Sequence, residues 1–186
     1  MPMKATGIVR RIDDLGRVVI PKEIRRTLRI REGEPLEIFT DKNGEIILKK
    51  YSPIGELAIF AKEYVEALAQ SSSCLACICD QDRIIAASGP DAKLYEGKEI
   101  TKELEDFISK RKNQVEPEKS SKFIQIIEHP SDKRIIHSQA IHTIICAGDA
   151  IGAVILLASG TRMALCEKDA PLAAVGASFL GKQMEN

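Results

Sequence analysis

Short runs of β-branched and aliphatic residues alternate with polar turns through the first fifty residues of the chain. Runs over residues 4–12 and 17–20 flank a polar loop, and runs over residues 36–40 and 45–49 flank a turn that contains Asn43-Gly44. An Asn-Gly pair between apolar runs is a strong signal for a β-hairpin. The pattern therefore predicts two pairs of strands in this part of the chain.

A short helix is predicted between these pairs, from Pro21 to Arg29, because proline suits the first turn of a helix. At helical spacing the apolar residues fall on one side, and the other side carries four cations: Lys22, Arg25, Arg26 and Arg29. Arg10, Arg11 and Arg17 add three guanidinium groups around the preceding loop. Arginine is suited to two-point contacts with phosphate and guanine. We therefore expect a site for a polyanion, with a solvated basic face as the alternative.

The first fifty residues are too few to bury a self-sufficient core. They contain no pattern of disulfides or metal ligands that could stabilise so small a fold. We therefore expect this segment to share a core with a second copy of the chain, most simply about a two-fold axis.

Three motifs in this segment carry a family resemblance: residues 6–10, residues 14–21 and residues 23–28. Together they resemble the AbrB-type swapped-hairpin DNA-binding domain, and the similarity covers residues 3–51. The resemblance implies an interlocked homodimer in which each chain completes the β-barrel of the other. It also implies DNA contacts from the arginines at matching positions, with a basic residue at the position of Arg11. The expected DNA-binding residues are Arg10, Arg11, Arg17, Arg25 and Arg26.

Charge is divided unevenly between the two ends of the chain, although the formal net charge is zero. Residues 1–50 hold 12 Lys and Arg against 8 Asp and Glu, whereas residues 51–186 hold 15 against 19. A basic segment followed by an acidic one fits a DNA-binding end and a regulatory end.

The composition also indicates a cellular compartment. No apolar run approaches the roughly 20 residues of a membrane span, and the N-terminus lacks the apolar core of a signal peptide. The five cysteines are an odd number in a chain with no secretory signal. We therefore expect reduced thiols in a cytoplasmic protein.

A helix is predicted after residue 52, where Ser52 can cap it and Pro53 can occupy its first position. Apolar residues then repeat at heptad spacing over residues 54–68. The stretch spans barely two heptads, fewer than an independent coiled coil needs. It predicts either a helical pairing within an existing dimer or an ordinary helix packed on its own domain. Residues 52–71 are accordingly assigned to a linker and dimerisation helix.

Residues 72–186 predict a second domain. Strands are expected over residues 75–80, 83–87, 123–128, 135–146 and 150–158, and helices after Thr101 and over residues 171–184. Residues 113–121 are polar and predict a loop. In the last helix, four residues are expected to face inward: Leu172, Val175, Phe179 and Leu180. This order is typical of an α+β antiparallel sheet with helices on one face.

The second domain resembles a GAF domain, a small-molecule sensor fold. The whole chain is similar to a family of sporulation regulators from endospore-forming bacteria that joins these two parts. The expected fold class is therefore α+β: an AbrB-type swapped-hairpin dimeric β-barrel (residues 1–51), a joining helix (residues 52–71) and a GAF-like regulatory and oligomerisation domain (residues 72–186).

Neither the cysteines nor the histidines form a recognisable catalytic or metal-binding pattern. Cys74, Cys77 and Cys79 lack a second pair of ligands at zinc-site spacing, and alternate cysteines on a strand are typical of core residues. Their redox role stays open. His129, His137 and His142 belong to no triad or paired-carboxylate arrangement. We therefore expect no catalytic site, no metal and no cofactor.

These observations predict a sequence-tolerant DNA-binding regulator that is not an enzyme, and the family resemblance implies that it controls sporulation genes. Its expected partners are double-stranded DNA, a second copy through residues 1–51 and a tetramer through the C-terminal domain. A small-molecule effector of unknown identity is a further expected partner, and no membrane is. The resemblance implies activation and repression in the forespore. The alternative is an antitoxin of the AbrB/MazE type whose C-terminal part binds a toxin; an enzyme would need a catalytic C-terminal half.

Overall fold

The computed structural model describes residues 7–56, 58–116, 122–128, 136–159, 165 and 169–185. The chain divides into two compact units, Met1–Tyr51 and Ser52–Asn186. Within the described residues, no helix is both long and apolar enough to cross a membrane.

The first unit contains one short helix and one hairpin. Helix α1 spans Lys22–Thr27, strand β1 spans Leu36–Thr40 and strand β2 spans Ile46–Lys50. The strands pair antiparallel with Thr40 opposite Ile46, across the predicted turn. The helix is shorter than expected from the sequence, because Arg29 adopts a left-handed φ of 53° just after it.

The predicted strands before α1 differ from the structure. Described residues 7–20 lie outside any helix or strand, except that a turn spans residues 14–16. Among the described residues of this single chain, no strand pairs with residues 7–12 or 17–20. Strand geometry is fixed by the hydrogen bonds between strands, so an extended segment without a neighbour cannot form a ladder.

The described part of the first unit, residues 7–51, lacks a core of its own. Among the described residues 7–51, Pro21 alone is buried. Val9 is 89% exposed and Ile38 is 67% exposed. Among its described residues, the large apolar side chains that face solvent are Ile8, Val9, Ile12, Leu15, Val18, Val19, Leu28, Ile38, Phe39, Ile46, Leu48 and Tyr51. This unit is therefore an incomplete fold as a single chain.

The second unit is built on a five-stranded antiparallel sheet in the order β4-β3-β7-β6-β5. Its strands are β3 (Leu75–Cys79), β4 (Ile84–Ser88), β5 (Asn113–Glu116), β6 (Ile136–Cys146) and β7 (Asp149–Ser159). Its helices are α2 (Pro53–Glu56), α3 (Ala58–Ser72), α4 (Lys102–Ser109) and α5 (Asp169–Gln183), with a short 3-10 helix at Ala92–Leu94. The fold class is α+β, as the sequence predicts.

Helices cover both faces of this sheet, which corrects the expectation that they share one face. Residues of α3 and α5 share one buried cluster with one set of strand residues, including Ile78 and Val154. Residues of α4 share a second cluster with the alternate set, including Cys77 and Ile155. Successive side chains of a strand point to opposite faces, so the two clusters lie on opposite sides of the sheet. This unit therefore has two cores of its own.

Helix capping at Ser52 and Thr101 follows the prediction. The main-chain N–H of Gly55 donates to Ser52 Oγ at 3.0 Å, and that of Leu104 donates to Thr101 Oγ1 at 3.2 Å. Helix α3 buries Ala61, Val65 and Leu68 against the sheet of its own unit. The structure thus shows this helix packed on its own domain, one of the two outcomes expected from the heptad pattern.

Helix α5 faces the sheet with smaller residues than predicted. Gly176, Ala177 and Gly181 are buried, and a Cβ atom at position 181 would collide with the carbonyl of Ile145. The approach excludes a side chain at position 181, whereas the neighbouring Leu180 is fully buried, as predicted. Val175 is consequently 61% exposed and Phe179 39% exposed, so the prediction that they face inward is wrong.

Two further predictions fail around the edge of the sheet. Residues 113–116 form the edge strand β5 instead of a loop, with Val115 opposite Ala140. Residues 122–128 form no regular strand and contribute a single bridge, between Ile127 and Ile100. Residues 117–121 and 129–135, and with them His129, lie outside the described residues.

Candidate nucleic-acid interface

The loop over residues 13–17 is organised by one carboxylate, that of Asp13. Its Oδ1 accepts from the main-chain N–H groups of Leu15 at 3.1 Å and Arg17 at 2.7 Å. Its Oδ2 accepts from Arg17 Nε at 2.8 Å. The turn closes through Gly16, whose N–H donates to the Asp13 carbonyl at 3.0 Å and whose φ is 76°. The loop therefore has a defined shape without the support of a core.

The same contacts perturb the acidity of Asp13. Its pKa lies below the ordinary value of 3.8, first because the Arg17 N–H donates to the carboxylate and then because the Arg17 guanidinium does. Both bonds favour the charged form. The carboxylate thus remains ionised at neutral pH and holds the Arg17 side chain at its Nε, while that side chain is still 69% exposed.

The other predicted DNA-binding residues occupy two segments of the first unit. Arg10 and Arg11 lie exposed in the extended chain before the loop. Arg25 and Arg26 lie in the last turn of α1, where Arg26 is exposed and Arg25 is half-buried. The Nε of Arg25 is shielded from solvent with no hydrogen-bond partner among the described residues. These positions agree with a basic surface and do not test its function.

Contacts at the far end of the hairpin position the end of α1. Lys50 Nζ donates to the Arg29 carbonyl at 3.0 Å and lies 3.0 Å from Glu34 Oε1. Arg31 Nη1 lies 3.6 Å from the same oxygen of Glu34. Because Lys50 closes strand β2, the hairpin and the end of the basic helix are tied together.

Sequence reasoning missed two positioning residues, Asp13 and Lys50. A signal for Asp13 was present, since an aspartate that precedes a glycine by three residues is typical of a turn in which the side chain caps main-chain N–H groups. No comparable signal marks Lys50. It lies 21 residues from Arg29, and only the folded hairpin brings the two together.

The cysteines of β3 are core residues, as predicted. Cys77 and Cys79 are fully buried, and burial raises the pKa of both thiols well above the ordinary value. A protonated buried thiol is a poor nucleophile and a poor metal ligand. Among the residues that the structure describes, no group of three or more His, Cys, Asp or Glu could hold a metal ion.

The described histidines lie on β6 and are half-buried. Burial lowers the pKa of His142, whose Nε2 is shielded with no hydrogen-bond partner among the described residues. Nothing in the described contacts links His137 or His142 to a nucleophile. The basic loop and helix of the first unit are therefore the best candidate site.

Comparison with protein families assigns both parts of the chain. Residues 56–185 match the family model described as stage V sporulation protein T C-terminal, transcription factor. Residues 9–56 match the model described as antidote-toxin recognition MazE, bacterial antitoxin. The antitoxin alternative is not favoured, because the region after residue 55 matches the sporulation family over nearly its whole length.

Relatives and solved structures agree with this assignment. The transition state regulatory protein AbrB of Bacillus subtilis is 64% identical over 53 residues, which cover 28% of this chain and 54% of the relative. The GAF domain of the nutrient sensor CodY from Clostridium difficile covers 88% of this chain and 94% of its own at a TM-score of 0.51 and 14% identity, so it shows the fold alone.

Similarity over the full length decides the family. Stage V sporulation protein T of Bacillus subtilis (strain 168) is 51% identical over 183 residues, which cover 98% of this chain and 99% of the relative. The predicted family is thereby confirmed. The chain belongs to the stage V sporulation protein T family, as a transcription regulator of sporulation that joins an AbrB-like DNA-binding domain to a GAF-like domain.

Proposed function

We propose that the chain binds duplex DNA through Arg10, Arg11, Arg17, Arg25 and Arg26 and so activates some sporulation genes and represses others. The observation that carries the proposal is the Asp13-organised loop, which presents the Arg17 guanidinium to solvent in a defined geometry. Cations that neutralise phosphates supply most of the affinity, and some arginines read base edges in the major groove. A surface of this kind tolerates sequence variation because it adapts to groove shape.

The DNA-binding form is a homodimer through residues 1–51. Support comes from the exposed apolar side chains of this segment, which a second copy would bury. Each fully buried aliphatic side chain contributes about 1.5–3 kcal/mol. Twelve large apolar residues exposed among the described residues of so short a segment would supply such an interface.

Tetramer formation through the C-terminal domain is the second level of assembly. Helices α3 and α5 share an aromatic cluster in which the Phe179 ring lies 5.8 Å from both Phe60 and Tyr64. Ile59 of α3 is 82% exposed and Val175 of α5 is 61% exposed. Exposed apolar side chains on two neighbouring helices favour a protein interface. Two such faces in contact would join two dimers and let the protein hold two DNA segments.

The remaining features of the proposal concern regulation and location. Residues 1–51 serve as the DNA-binding domain, residues 52–71 as the joining helix and residues 72–186 as the sensor and oligomerisation domain. The protein acts in the cytoplasm, at the forespore nucleoid, without enzyme activity. An effector bound by the GAF-like domain changes the spacing of the DNA-binding heads through the helices that follow residue 52. Identical head spacing with and without effector would reject this last step.

Binding of labelled duplex DNA across a salt series tests the DNA-binding role. Arg17→Ala is compared with wild type, and light scattering on the same samples reports the oligomer. We expect the dimeric variant to lose about a hundredfold in affinity, because each chain loses one charge-assisted contact worth about tenfold. The slope of log K against log salt should fall by about two units in a dimer, one for each phosphate contact.

Arg83→Ala is the matched control, because Arg83 is an exposed arginine of the second unit. It should bind DNA like wild type. If Arg17→Ala and Arg83→Ala both match wild type in affinity and salt slope, the basic cluster is a solvated face and the DNA-binding assignment of these arginines is wrong.

A further inference from the structure

Helices α1 and α4 end in the same kind of turn, and each turn contains an arginine in the left-handed region of backbone conformation. Arg29 follows α1 with a φ of 53°, and Arg111 follows α4 with a φ of 54°. This conformation is strained for a residue that has a Cβ atom, so glycine is the usual residue at this point of a helix. The chain therefore keeps an arginine at two positions where glycine would relieve strain.

The turn after α1 is a Schellman motif, in which the N–H groups that follow a helix cap its last carbonyl groups. The N–H of Arg29 donates to the Arg26 carbonyl at 3.3 Å. The next N–H, that of Ile30, donates to the Arg25 carbonyl at 2.7 Å. The strained residue is thus bonded to the turn of helix that carries two of the predicted DNA-binding arginines.

The turn after α4 has the same construction. The N–H of Arg111 donates to the Ile108 carbonyl at 2.8 Å. The N–H of Lys112 donates to the Phe107 carbonyl at 3.3 Å. Both strained arginines are exposed, and any benefit that a cation gains from the C-terminal end of a helix dipole applies to both. A purely structural role for arginine in this turn would therefore be shared by Arg29 and Arg111.

The surroundings of the two turns differ. Lys50 Nζ donates to the Arg29 carbonyl at 3.0 Å, so the β1–β2 hairpin also holds Arg29 in place. Arg111 instead precedes strand β5, in the part of the chain (residues 51–186) that holds 15 Lys and Arg against 19 Asp and Glu. Strained residues that the surrounding structure holds in place are found preferentially at functional sites. The strain at Arg29, beside the basic helix, therefore points to a function of its side chain.

We propose that Arg29 is a further DNA-binding residue, and that its guanidinium binds a backbone phosphate beside the contacts of Arg25 and Arg26. A planar guanidinium offers a phosphate two parallel hydrogen bonds together with its charge. Glycine at position 29 would relieve the backbone and abolish this contact. The inference rests on the DNA-binding role proposed above and adds a sixth arginine to the five that the family resemblance implies. A phosphate contact carries no sequence information, in agreement with a sequence-tolerant surface.

Removal of the two strained side chains in turn tests this assignment in the full-length protein. Labelled duplex DNA is titrated with wild type, Arg29→Gly and Arg111→Gly across a salt series. Arg29→Gly should weaken binding by about tenfold or more and lower the slope of log K against log salt by about two units, because each chain of the dimer loses one phosphate contact. Arg111→Gly removes the equivalent arginine of the second unit and should bind DNA like wild type.

Urea unfolding of the same variants separates DNA binding from helix capping. Because glycine relieves the left-handed conformation, neither variant should unfold at a lower urea midpoint than wild type. Arg29→Gln keeps a side chain at the strained position and removes the charge, so it should reproduce the fall in salt slope. If Arg29→Gly proves less stable than wild type, the slope of Arg29→Gln decides the assignment, since the cap does not change the number of phosphates bound.

A wild-type salt slope in both Arg29→Gly and Arg29→Gln would overturn this inference. An equal loss of affinity and slope in Arg111→Gly would overturn it too, because the effect would then come from net charge. Arg17→Ala in the same titration separates the two proposals. If Arg17→Ala loses affinity while the variants at position 29 bind like wild type, the DNA-binding role stands and only the contact of Arg29 is wrong. If none of these substitutions alters binding, the DNA-binding assignment of the basic cluster fails as a whole.

Discussion

The two units of this chain differ in where their apolar side chains lie. In the first unit the large aliphatic residues face solvent, and Pro21 alone is buried among described residues 7–51. In the second unit aliphatic residues on both faces of one sheet are buried, and helices cover both sides. A fold that buries its apolar surface is complete in one chain, whereas one that exposes it needs another copy.

The two units also differ in the kind of sequence information that identifies them, short motifs in the first and apolar packing in the second. The first unit is recognisable from short motifs, which lie in one loop, one helix and the chain beside them. The second is defined by packing, in which many aliphatic residues can substitute for one another. Motifs therefore identify the first unit from sequence. In the second unit only the folded structure reveals the packing contacts.

The largest expected effect is the loss of stability on creating a cavity in the second unit. Ile155 lies on the central strand β7 and is fully buried. Ile155→Ala should lower the free energy of unfolding by about 2–5 kcal/mol, the usual cost of such a truncation. Urea denaturation followed by circular dichroism measures it. Ile145→Ala, at a residue 37% exposed on β6, is the control and should cost clearly less. Equal losses of free energy of unfolding for the two variants would contradict the assignment of Ile155 to the core.

Truncation of an exposed residue in the first unit should also lower the free energy of unfolding, if the dimer forms. Ile38 is 67% exposed in the single chain, and an exposed aliphatic residue ordinarily changes stability by less than about 0.5 kcal/mol. In a shared core Ile38→Ala should instead cost about 1–3 kcal/mol. Unfolding of a dimer depends on protein concentration, so the unfolding midpoints of wild type and variant should both fall on dilution.

The neighbouring substitution Glu37→Ala is the control for Ile38→Ala. Adjacent side chains on a strand point to opposite faces, so it should leave the midpoint of unfolding nearly unchanged. A cost for Ile38→Ala below about 0.5 kcal/mol at every protein concentration would show that this surface stays in water.

Local signals in the sequence predicted most elements of both units. The turn at Asn43-Gly44, the cap at Thr101 and the strands around residues 75–88 and 136–159 were all expected and are present. Such features depend on neighbours along the chain. The candidate arginines were also found from sequence alone, because their spacing and family motifs are local.

Features that depend on distant contacts were not predictable in the same way. Val175 and Phe179 fit an inward stripe, yet Gly181 approaches the Ile145 backbone and turns the small face of α5 to the sheet. Residues 123–128 have the composition of a strand, yet Gln139 and Thr101 bind their backbone in place of a ladder. A polar segment such as residues 113–116 becomes an edge strand because β6 supplies its partner.

Removal of the Asp13 carboxylate should weaken DNA binding without unfolding the protein. Asp13→Ala deletes the acceptor for two main-chain N–H groups and for Arg17 Nε. We expect a loss of about two- to tenfold in DNA affinity, the usual cost of ordering one long side chain on binding. The binding titration used for Arg17→Ala measures it, and light scattering should show an unchanged oligomer.

The same carboxylate predicts a dependence of the loop on pH. Because the folded pKa of Asp13 is depressed, its contribution is fully present above the ordinary value of 3.8 and is lost as the pH falls through the lower folded pKa. The amide resonances of Leu15 and Arg17 should therefore hold constant from neutral pH to about pH 4 and shift below it. Movement of these resonances near pH 6 would implicate another group.

The smallest expected effect is a gain in stability at the tip of the β6–β7 hairpin. Ala147 and Gly148 have φ values of 48° and 89°, the left-handed pair that a two-residue hairpin turn requires. Alanine is strained there, whereas asparagine tolerates this region. Ala147→Asn should therefore raise the free energy of unfolding by about 0.5–1 kcal/mol. Its main-chain N–H can still donate to Glu185 Oε1.

The matched variant at this turn is Gly148→Ala, which places a Cβ atom at a left-handed φ and meets no neighbouring atom. It should lower the free energy of unfolding by about 1 kcal/mol through backbone strain alone. Thermal or urea titrations measure the change in the free energy of unfolding for both variants. Changes of opposite sign would establish that the conformation of this turn limits stability. If neither variant changed the free energy of unfolding, the turn would already be open in the state from which the protein unfolds. The packing of α5 on β6, seen at Gly181 and Ile145, would then be the stronger constraint at this end of the sheet.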